Sequence, residues 1–237
     1  MKEKVVIVTG GGGGIGAKVA HQLSLASWIV VSVDREFPQN NVKSQKINEI
    51  VGDITDPQTI AIATAKAQEL GELTGLANIA GTRNYRALHQ IERSFFLEHL
   101  EVNAIAPLAW MQKVSEVMIE NKTQGSIVNV TSVMSERVTQ GNAAYCASKA
   151  ALSSLTKSAA LELSGNGIRV NAVAPGPTDT PMLNALDDKK KESLANWLPL
   201  GRLGSPGDVS EAIVFLLDSG KFITGITISV DGGYLVA

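Results

Sequence analysis

Thr9-Gly10-Gly11-Gly12-Gly13-Gly14-Ile15-Gly16, the stretch TGGGGGIG, decides how this chain is read. Five consecutive glycines suit a flexible hinge, a low-complexity tract or a phosphate cradle. Here they lie between the apolar run KVVIVT (4–9) and IGAKVAHQLSLAS (15–27), where Ile15, Val19, Ala20 and Leu23 recur at helical spacing. A linker is not normally sandwiched in this way. A strand that ends in glycines and opens a helix presents unpaired backbone N–H groups at the positive end of the helix dipole, which makes an anion site. Two glycine registers fit. Gly11, Gly13 and Gly16 satisfy G-x-G-x-x-G, whereas Gly10, Gly14 and Gly16 satisfy T-G-x-x-x-G-x-G. A P-loop is excluded, because Ala17 and Lys18 follow Gly16 where that motif needs Lys and then Ser or Thr.

Outward from the glycines, strand-length apolar runs alternate with helix-period segments to the end of the chain. WIVVSVD (28–34) reads as a second strand and EIVGD (49–53) as a third, with no helix between them because Pro38 and two asparagines interrupt the segment. A helix follows over 57–70, where Pro57 suits the first turn. GLANIAG (75–81) reads as strand then turn, 94–120 as a long helix, and GSIVNVTS (125–132) as the fifth strand. The alanine-rich run 142–164 is a helix and IRVNAVAPG (168–176) the sixth strand. A polar, Pro-interrupted segment extends to Gly204, before a helix over 206–217 and a closing strand within 225–233. The alternation predicts an α/β fold: one Rossmann-like, doubly wound parallel sheet of about seven strands with helices on both faces. Several strands are apolar throughout, as burial on both faces requires. Without an internal linker or repeat, residues 1–237 are expected to form one domain.

The bulk composition agrees. At 237 residues, 44% hydrophobic and 19% charged, the chain has the balance of a globular protein with a substantial core. A net charge of -2 and no basic cluster longer than Lys189–Lys191 argue against nucleic acid or a membrane surface as the main partner. Those lysines, beside Asp187, Asp188 and Glu192, read as a solvated helix start. The lone Cys146 excludes an intrachain disulfide framework, and its neighbourhood reads as a small buried hydrophobe. His21, His89 and His99 have no metal-ligand spacing, so no metal is expected. With no signal-like or membrane-spanning stretch in the sequence, a soluble cytoplasmic protein is the expectation.

A glycine fingerprint gains weight from an acid at the end of the second strand, and Asp34 supplies it. Its carboxylate can accept hydrogen bonds from ribose hydroxyls and would repel a 2′-phosphate, which favours NAD over NADP. A second constellation lies further along: Ser132, then Tyr145 and Lys149 in YCASK. Tyr145 and Lys149 are i and i+4 on one helix and share a face. A phenol of ordinary pKa near 10 is a poor base at neutral pH, and a neighbouring ammonium favours the phenolate. Ser132, at the C-terminal end of a strand, can hold the oxygen that Tyr145 protonates or deprotonates.

With these residues the chain resembles the short-chain dehydrogenase/reductase family over 4–234. That family's T-G-x-x-x-G-x-G pattern is carried by Thr9, Gly10, Gly14, Ile15 and Gly16, and Ser132 stands thirteen positions ahead of the Tyr of Y-x-x-x-K. The resemblance implies a catalytic Asn103 in EVNAIAPL, whose main chain kinks its helix and helps hold a water in a proton relay. It implies nicotinamide-cofactor contacts at Gly10, Gly13, Gly14, Ile15, Gly16, Asp34, Arg35, Asp53, Ile54, Asn78, Ala80, Gly81, Tyr145, Lys149, Pro175, Gly176, Thr178 and Thr180. It also implies a mobile substrate lid at about 178–200, with Met182, Leu183, Leu186 and Trp197 on its inner face, and a homodimer or homotetramer. Met134 and Arg83 complete the candidate substrate residues. Arg83 and Arg86 are read either as a solvated loop or as a fork for a substrate carboxylate. The second reading draws on GPTDTPM and PLGRLGSPGDV, which resemble dihydro-dihydroxybenzoate dehydrogenases within the family.

The chain also departs from the family pattern. Asn78-Ile79-Ala80-Gly81 replaces the common N-N-A-G, and VMSE follows Ser132 without the usual glycine. Position 13 is glycine, so no basic side chain there meets a 2′-phosphate, although Arg35 follows Asp34. The expected activity is NAD-dependent interconversion of a secondary alcohol and a ketone, on a cyclic diol or carboxylated small molecule. Rival readings are an NADPH-dependent 3-oxoacyl-thioester reductase and a non-catalytic nucleotide-binding sensor. The Ser–Tyr–Lys set selects the Gly10, Gly14, Gly16 register. Gly11 to Gly13 are then a permissive stretch, in which Gly12→Ala is expected to be mild.

Overall fold

The computed structural model describes residues 2–39, 44–183 and 187–237. Val- and Ile-rich segments make seven strands: β1 (Lys4–Thr9), β2 (Ile29–Asp34), β3 (Ile47–Val51), β4 (Glu72–Asn78), β5 (Gly125–Val130), β6 (Ile168–Pro175) and β7 (Thr227–Val230). All neighbours are parallel, in the order β3-β2-β1-β4-β5-β6-β7. Parallel neighbours need crossovers, and helices supply most of them. They are α1 (Gly14–Leu25), α2 (Pro57–Leu70), α3 (Arg93–Leu100), α4 (Ala106–Glu120), α5 (Ala143–Leu163), α6 (Asp188–Trp197) and α7 (Pro206–Asp218).

The central strand shows how the core divides. Successive side chains of a strand point to opposite faces. Val5 and Ile7 of β1 therefore join Leu76, Trp110, Met111, Met118 and Ile127 on one side, the face covered by α2, α4 and α5. Val6 and Val8 join Leu23, Trp28, Ile213 and Leu216 under α1 and α7. A small third cluster of Val133, Leu198 and Tyr234 lies at the sheet's carboxyl edge.

Strand order reverses between β1 and β4, which start connections in opposite directions. Crevices at such switch points, outside the carboxyl ends of the strands, are where open α/β sheets bind ligands. Thr9 stitches the two strands there: its Oγ1 accepts from the N–H groups of Ile79 (3.1 Å) and Ala80 (3.4 Å).

Several boundaries differ from expectation. The third strand ends at Val51, because Asp53 turns away to accept from the Thr55 N–H (2.9 Å) and hydroxyl (2.8 Å). β4 starts earlier, at Glu72, whose N–H donates to Glu3 O (2.9 Å). β5 stops at Val130, and Ser132 caps a 3-10 turn over Val133–Ser135 by accepting the Met134 N–H (3.1 Å). In the polar segment before Gly204 the helix start expected at Lys189–Lys191 is there and extends as α6 to Trp197, capped by Asp187, which accepts the Lys190 N–H (2.8 Å).

The long helix expected over 94–120 is interrupted by a π turn at Glu101–Ile105. Pro107 lacks the N–H that would bond the Asn103 carbonyl in an α-helix, and the Ala106 N–H reaches back five residues to Glu101 O. Among the described residues, no helix is long and apolar enough to cross a membrane.

Candidate functional site

The glycine turn is built by backbone conformations that side chains disfavour. Gly10 (φ 75°) and Gly14 (φ 53°) lie in the left-handed region. A Cβ at Gly16 would collide with the Gly10 carbonyl oxygen, so Gly16 lets α1 pack onto the strand end. These are the three glycines of the selected register.

The middle of the run is not uniformly permissive, which corrects the sequence expectation. A Cβ at Gly11 would strike the Ser32 hydroxyl, and one at Gly12 the Glu36 carbonyl, with the Asp34 carboxylate 3.0 Å away. The chain beyond β2 passes directly beneath the turn. Gly13 alone of the three has nothing within 4 Å of its Cβ position. The Gly12 N–H donates to Asp34 Oδ2 (2.8 Å) and the Arg35 N–H to Oδ1 (2.7 Å), which fixes the carboxylate at the rim of the turn.

From this turn a cleft of about 610 Å³ runs along the carboxyl ends of the strands. Gly10, Gly13, Gly14, Ile15, Gly16, Asp34, Arg35, Asp53 and Ile54 line one end. Ala80, Gly81, Pro175, Gly176, Thr178 and Thr180 line its middle, and Ser132, Met134, Tyr145, Lys149, Arg83 and Met182 the other end. Of the cofactor and substrate residues read from the sequence, two stand outside. Asn78 is buried in the sheet, where its Nδ2 donates to Asn129 Oδ1 (2.9 Å) and Pro107 O (3.3 Å). Trp197 faces away: its ring meets Tyr234 edge-on at 5.1 Å, with the Arg137 guanidinium 4.8 Å from its centre. Leu186 lies outside the described residues, while Leu183 lines the cleft.

Residues that the sequence reading missed also reach the cleft, among them Thr82, Glu98, Val102, Thr139, Leu194 and Tyr234. Thr82 and Val102 flank motifs and could have been found by adjacency. Tyr234 could not, since only the folded tail brings it beside Leu198 and Val133.

Ser132, Tyr145 and Lys149 converge, each nearly fully buried. Burial pushes the Tyr145 phenol above its ordinary pKa, opposed by a hydrogen bond with Ser132 and by the positive charge of Arg83. Arg83 is thus a cation favouring the phenolate that the sequence did not point to, besides the Lys149 it did. Lys149 donates to Val130 O (2.8 Å), with its Nζ 6.0 Å from the Tyr145 ring centre, and burial lowers its pKa to about 8. Asn103 stands just behind. Its Oδ1 accepts the Thr82 N–H (2.9 Å), and its Nδ2 donates to Thr82 O (2.9 Å) and Ser148 Oγ (3.0 Å). A Cβ on Gly81 would lie 3.0 Å from that Asn103 oxygen and 3.3 Å from Lys149 Nζ, so a glycine keeps this passage open.

Ile79, in place of the common second Asn, packs with the β1–α1 core, and Thr9 holds its N–H. Arg86 takes the bland reading: its guanidinium lies 4.5 Å over the Phe95 ring. Cys146 is buried, and His99 packs with Nε2 accepting the Asn84 N–H (3.1 Å). The residues fit a dinucleotide: left-handed glycines and an open Gly13 make the cradle, and Asp34 stands at its rim.

A parallel sheet with this glycine turn at its switch point, and a buried Ser–Tyr–Lys set in the same cleft, define a nicotinamide-dependent oxidoreductase. Residues 11–235 match the family model described as enoyl-(acyl carrier protein) reductase. The chain belongs to the short-chain dehydrogenase/reductase family and is an NAD(P)-dependent dehydrogenase or reductase acting on small molecules. It is 34% identical to the 3-oxoacyl-[acyl-carrier-protein] reductase FabG of Thermotoga maritima, over 100% of this chain and 99% of that one. It is likewise 34% identical to the cis-4-hydroxycyclohexanecarboxylate dehydrogenase of Sinomonas cyclohexanicum, over 98% and 96%. The solved structure of ElxO with NADP bound superposes with a TM-score of 0.90 at 30% identity, covering 100% of both chains.

Proposed function

We propose that this protein interconverts a secondary alcohol and a ketone, with NAD as its cofactor and Tyr145 as general acid and base. The observation that carries the reading is the convergence of the buried Ser132, Tyr145 and Lys149 side chains in the cleft that begins at the glycine turn. In the oxidative direction Ser132 Oγ orients the substrate hydroxyl, and Tyr145 Oη takes its proton. A bound nicotinamide would supply the acceptor for the hydride from the same carbon. Lys149 binds the nicotinamide ribose, and its lowered pKa suits it to passing the proton onward at neutral to mildly alkaline pH. Asn103 completes the relay: Pro107 leaves its carbonyl without the usual helical donor, and its side chain locks Thr82.

Gly10, Gly14, Ile15 and Gly16 hold the pyrophosphate, and Asp53 and Ile54 flank the adenine. Asp34 accepts from the adenosine ribose. That carboxylate, with no basic side chain at Gly13, is the ground for NAD over NADP. Ala80, Gly81, Pro175, Gly176, Thr178 and Thr180 enclose the nicotinamide half. Residues 178–200 act as a lid over a cyclic diol or carboxylated substrate, with Met134 and Met182 against its apolar part. The dehydrogenase of S. cyclohexanicum, named for a hydroxylated ring acid, supports that class. We place the enzyme in the cytoplasm as a homodimer or homotetramer joined through α4 and α5.

Saturation with NADH against NADPH tests the cofactor assignment, with NADH expected to bind at least about tenfold more tightly. A screen of NAD⁺ with cyclic, aliphatic and carboxylated alcohols tests the reaction. The similarity to FabG favours one second reading, an NADPH-dependent 3-oxoacyl-thioester reductase. NADPH preference together with reduction of acetoacetyl thioesters would establish it instead. NADH binding without turnover of any alcohol or ketone would point to a sensor.

A further inference from the structure

The loop after β4 carries an arginine that the proton-transfer steps alone do not explain. The loop is pinned on both sides of it. Asn103 holds the Thr82 main chain, His99 Nε2 accepts the Asn84 N–H (3.1 Å), and the Arg86 N–H donates to Gly141 O (2.9 Å). Arg83 between them is half-buried and lines the cleft beside Ser132 and Tyr145. Its Nε donates to Asn142 Oδ1 (2.9 Å), and Asn142 is itself held through Nδ2 by Thr139 Oγ1 (2.9 Å) and Gln140 O (3.2 Å). The guanidinium carbon lies 5.5 Å from the Tyr145 ring centre.

Three of the six other arginines spend their terminal nitrogens on protein acceptors, while none is seen for Arg35, Arg86 or Arg93 among the described residues. Arg202 grips Asp208, Arg137 bonds the carbonyls of Tyr234 and Ala237, and Arg169 those of Ile223 and Leu217. Arg83 has neither an ion pair nor an acceptor for its two terminal nitrogens among the described residues. Glu98, which also lines the cleft, is not within ion-pairing distance. A guanidinium fixed by its Nε presents the remaining N–H groups as a rigid fork, the shape that takes a planar carboxylate in two parallel hydrogen bonds. The cleft it lines also has apolar Val102, Val133, Met134, Met182 and Leu183, together with polar Thr82, Thr139 and Glu98.

We propose that the substrate is a hydroxy or oxo acid with an apolar body, whose carboxylate sits a few bonds from the reacting carbon and is selected by Arg83. This rests on the alcohol–ketone reading of the site and narrows it to one substrate class, with Arg83 as the specificity-determining residue. The charge of Arg83 is near enough to Tyr145 to act on the phenol as well, so a change in rate alone does not identify its role. Discrimination by charge does.

The experiment compares matched pairs, a ring hydroxy acid and its primary carboxamide, in kcat/KM with the wild type, Arg83→Lys and Arg83→Gln. The wild type should favour the acid by about 30-fold or more, the scale of a buried charge-assisted pair. Arg83→Gln should bring the ratio to within about threefold of unity, chiefly through the KM of the acid, and Arg83→Lys should retain part of it. NADH binding and the thermal midpoint of Arg83→Gln should match the wild type. Equal use of acid and amide by the wild type, or an unchanged ratio in Arg83→Gln, overturns the proposal while leaving the oxidoreductase reading intact.

Failure to turn over either member of every pair would sink that reading instead. Calorimetric titration then judges Arg83 alone, with cyclohexanecarboxylate and its amide added to NADH-saturated protein. Acid binding weakened at least tenfold by Arg83→Gln, with the amide unchanged, supports the inference. No acid binding, or equal effects on both, overturns it.

Discussion

The two ends of the cleft are made by different means. At the glycine turn the backbone itself is the constraint: Gly10 and Gly14 sit at positive φ, and Gly16 meets the Gly10 carbonyl. At the other end side chains from segments far apart in the chain hold one another. Arg137 bonds the Tyr234 and Ala237 carbonyls and stacks on Trp197 and Tyr234, joining the segment after β5, the end of α6 and the tail. Sterics of the first kind leave a trace in every stretch of sequence that obeys them. Contacts of the second kind leave none, because no local pattern requires Arg137 to meet Trp197. The binding end is thus readable and rigid in its demands, while the recognising end is set by tertiary packing.

The largest effect expected lies where the two ends meet. Tyr145→Phe should lower turnover about 10²–10⁴-fold, with NADH affinity within about threefold of the wild type, as steady-state rates and fluorescence titration would show. A large loss of NADH binding would mean that the two ends are one coupled structure. Next comes a pair inside the glycine turn. Gly12→Ala should weaken NADH binding by about tenfold or more, since its Cβ meets the Glu36 carbonyl and crowds Asp34. Gly13→Ala, with open space around it, should change binding less than about twofold. Equal losses would break the steric account of that end.

A smaller shift separates charge from contact at the recognising end. The positive charge of Arg83 favours the Tyr145 phenolate, so removing it raises the phenol pKa. In Arg83→Gln the rising limb of the oxidation rate should therefore move to higher pH, for neutral and acidic substrates alike. A limb that stays in place, or moves down, would show that Arg83 does not act on Tyr145. The smallest effect belongs to Trp197→Ala. This residue supports Tyr234 without lining the cleft, so KM should rise about two- to fivefold with kcat near the wild-type value. A kcat collapse would place Trp197 at the reacting centre after all.

These two kinds of constraint also explain how far the sequence could be read. The parallel sheet and the approximate place of every strand were legible, because buried parallel strands are apolar runs and glycines mark the first turn. Ser132, Tyr145 and Lys149 were legible as a set, and the structure brings them together. What failed depended on contacts across the chain. Gly12 looked dispensable because the path of Glu36 beneath it is not a local property. Trp197 looked like an inward-facing lid residue, but Arg137 and Tyr234 claim its ring. The charge of Arg83 beside Tyr145 had no local sign either, because the loop after β4 brings it there. The start of α6 was legible in the lysines beside Asp187 and Asp188, but its extent was not, because DKKKESLANW owes its helix to the Asp187 cap rather than to an apolar stripe.

The π turn at Glu101–Ile105 has a geometric consequence for the rod that contains it. An α-helix advances about 100° per residue, so the extra residue of a π turn rotates everything after it by about that angle. The rod from Arg93 to Glu120 is therefore two blades on one shaft, out of phase with each other. The first blade, α3, is free to lie along α5 near Tyr145, while the second, α4, presents Trp110, Met111, Val114 and Met118 to the sheet. A straight α-helix of the same sequence could satisfy one of those neighbours but not both. Deleting a single residue from 101–105 would re-phase the blades and turn the Trp110 stripe off the sheet.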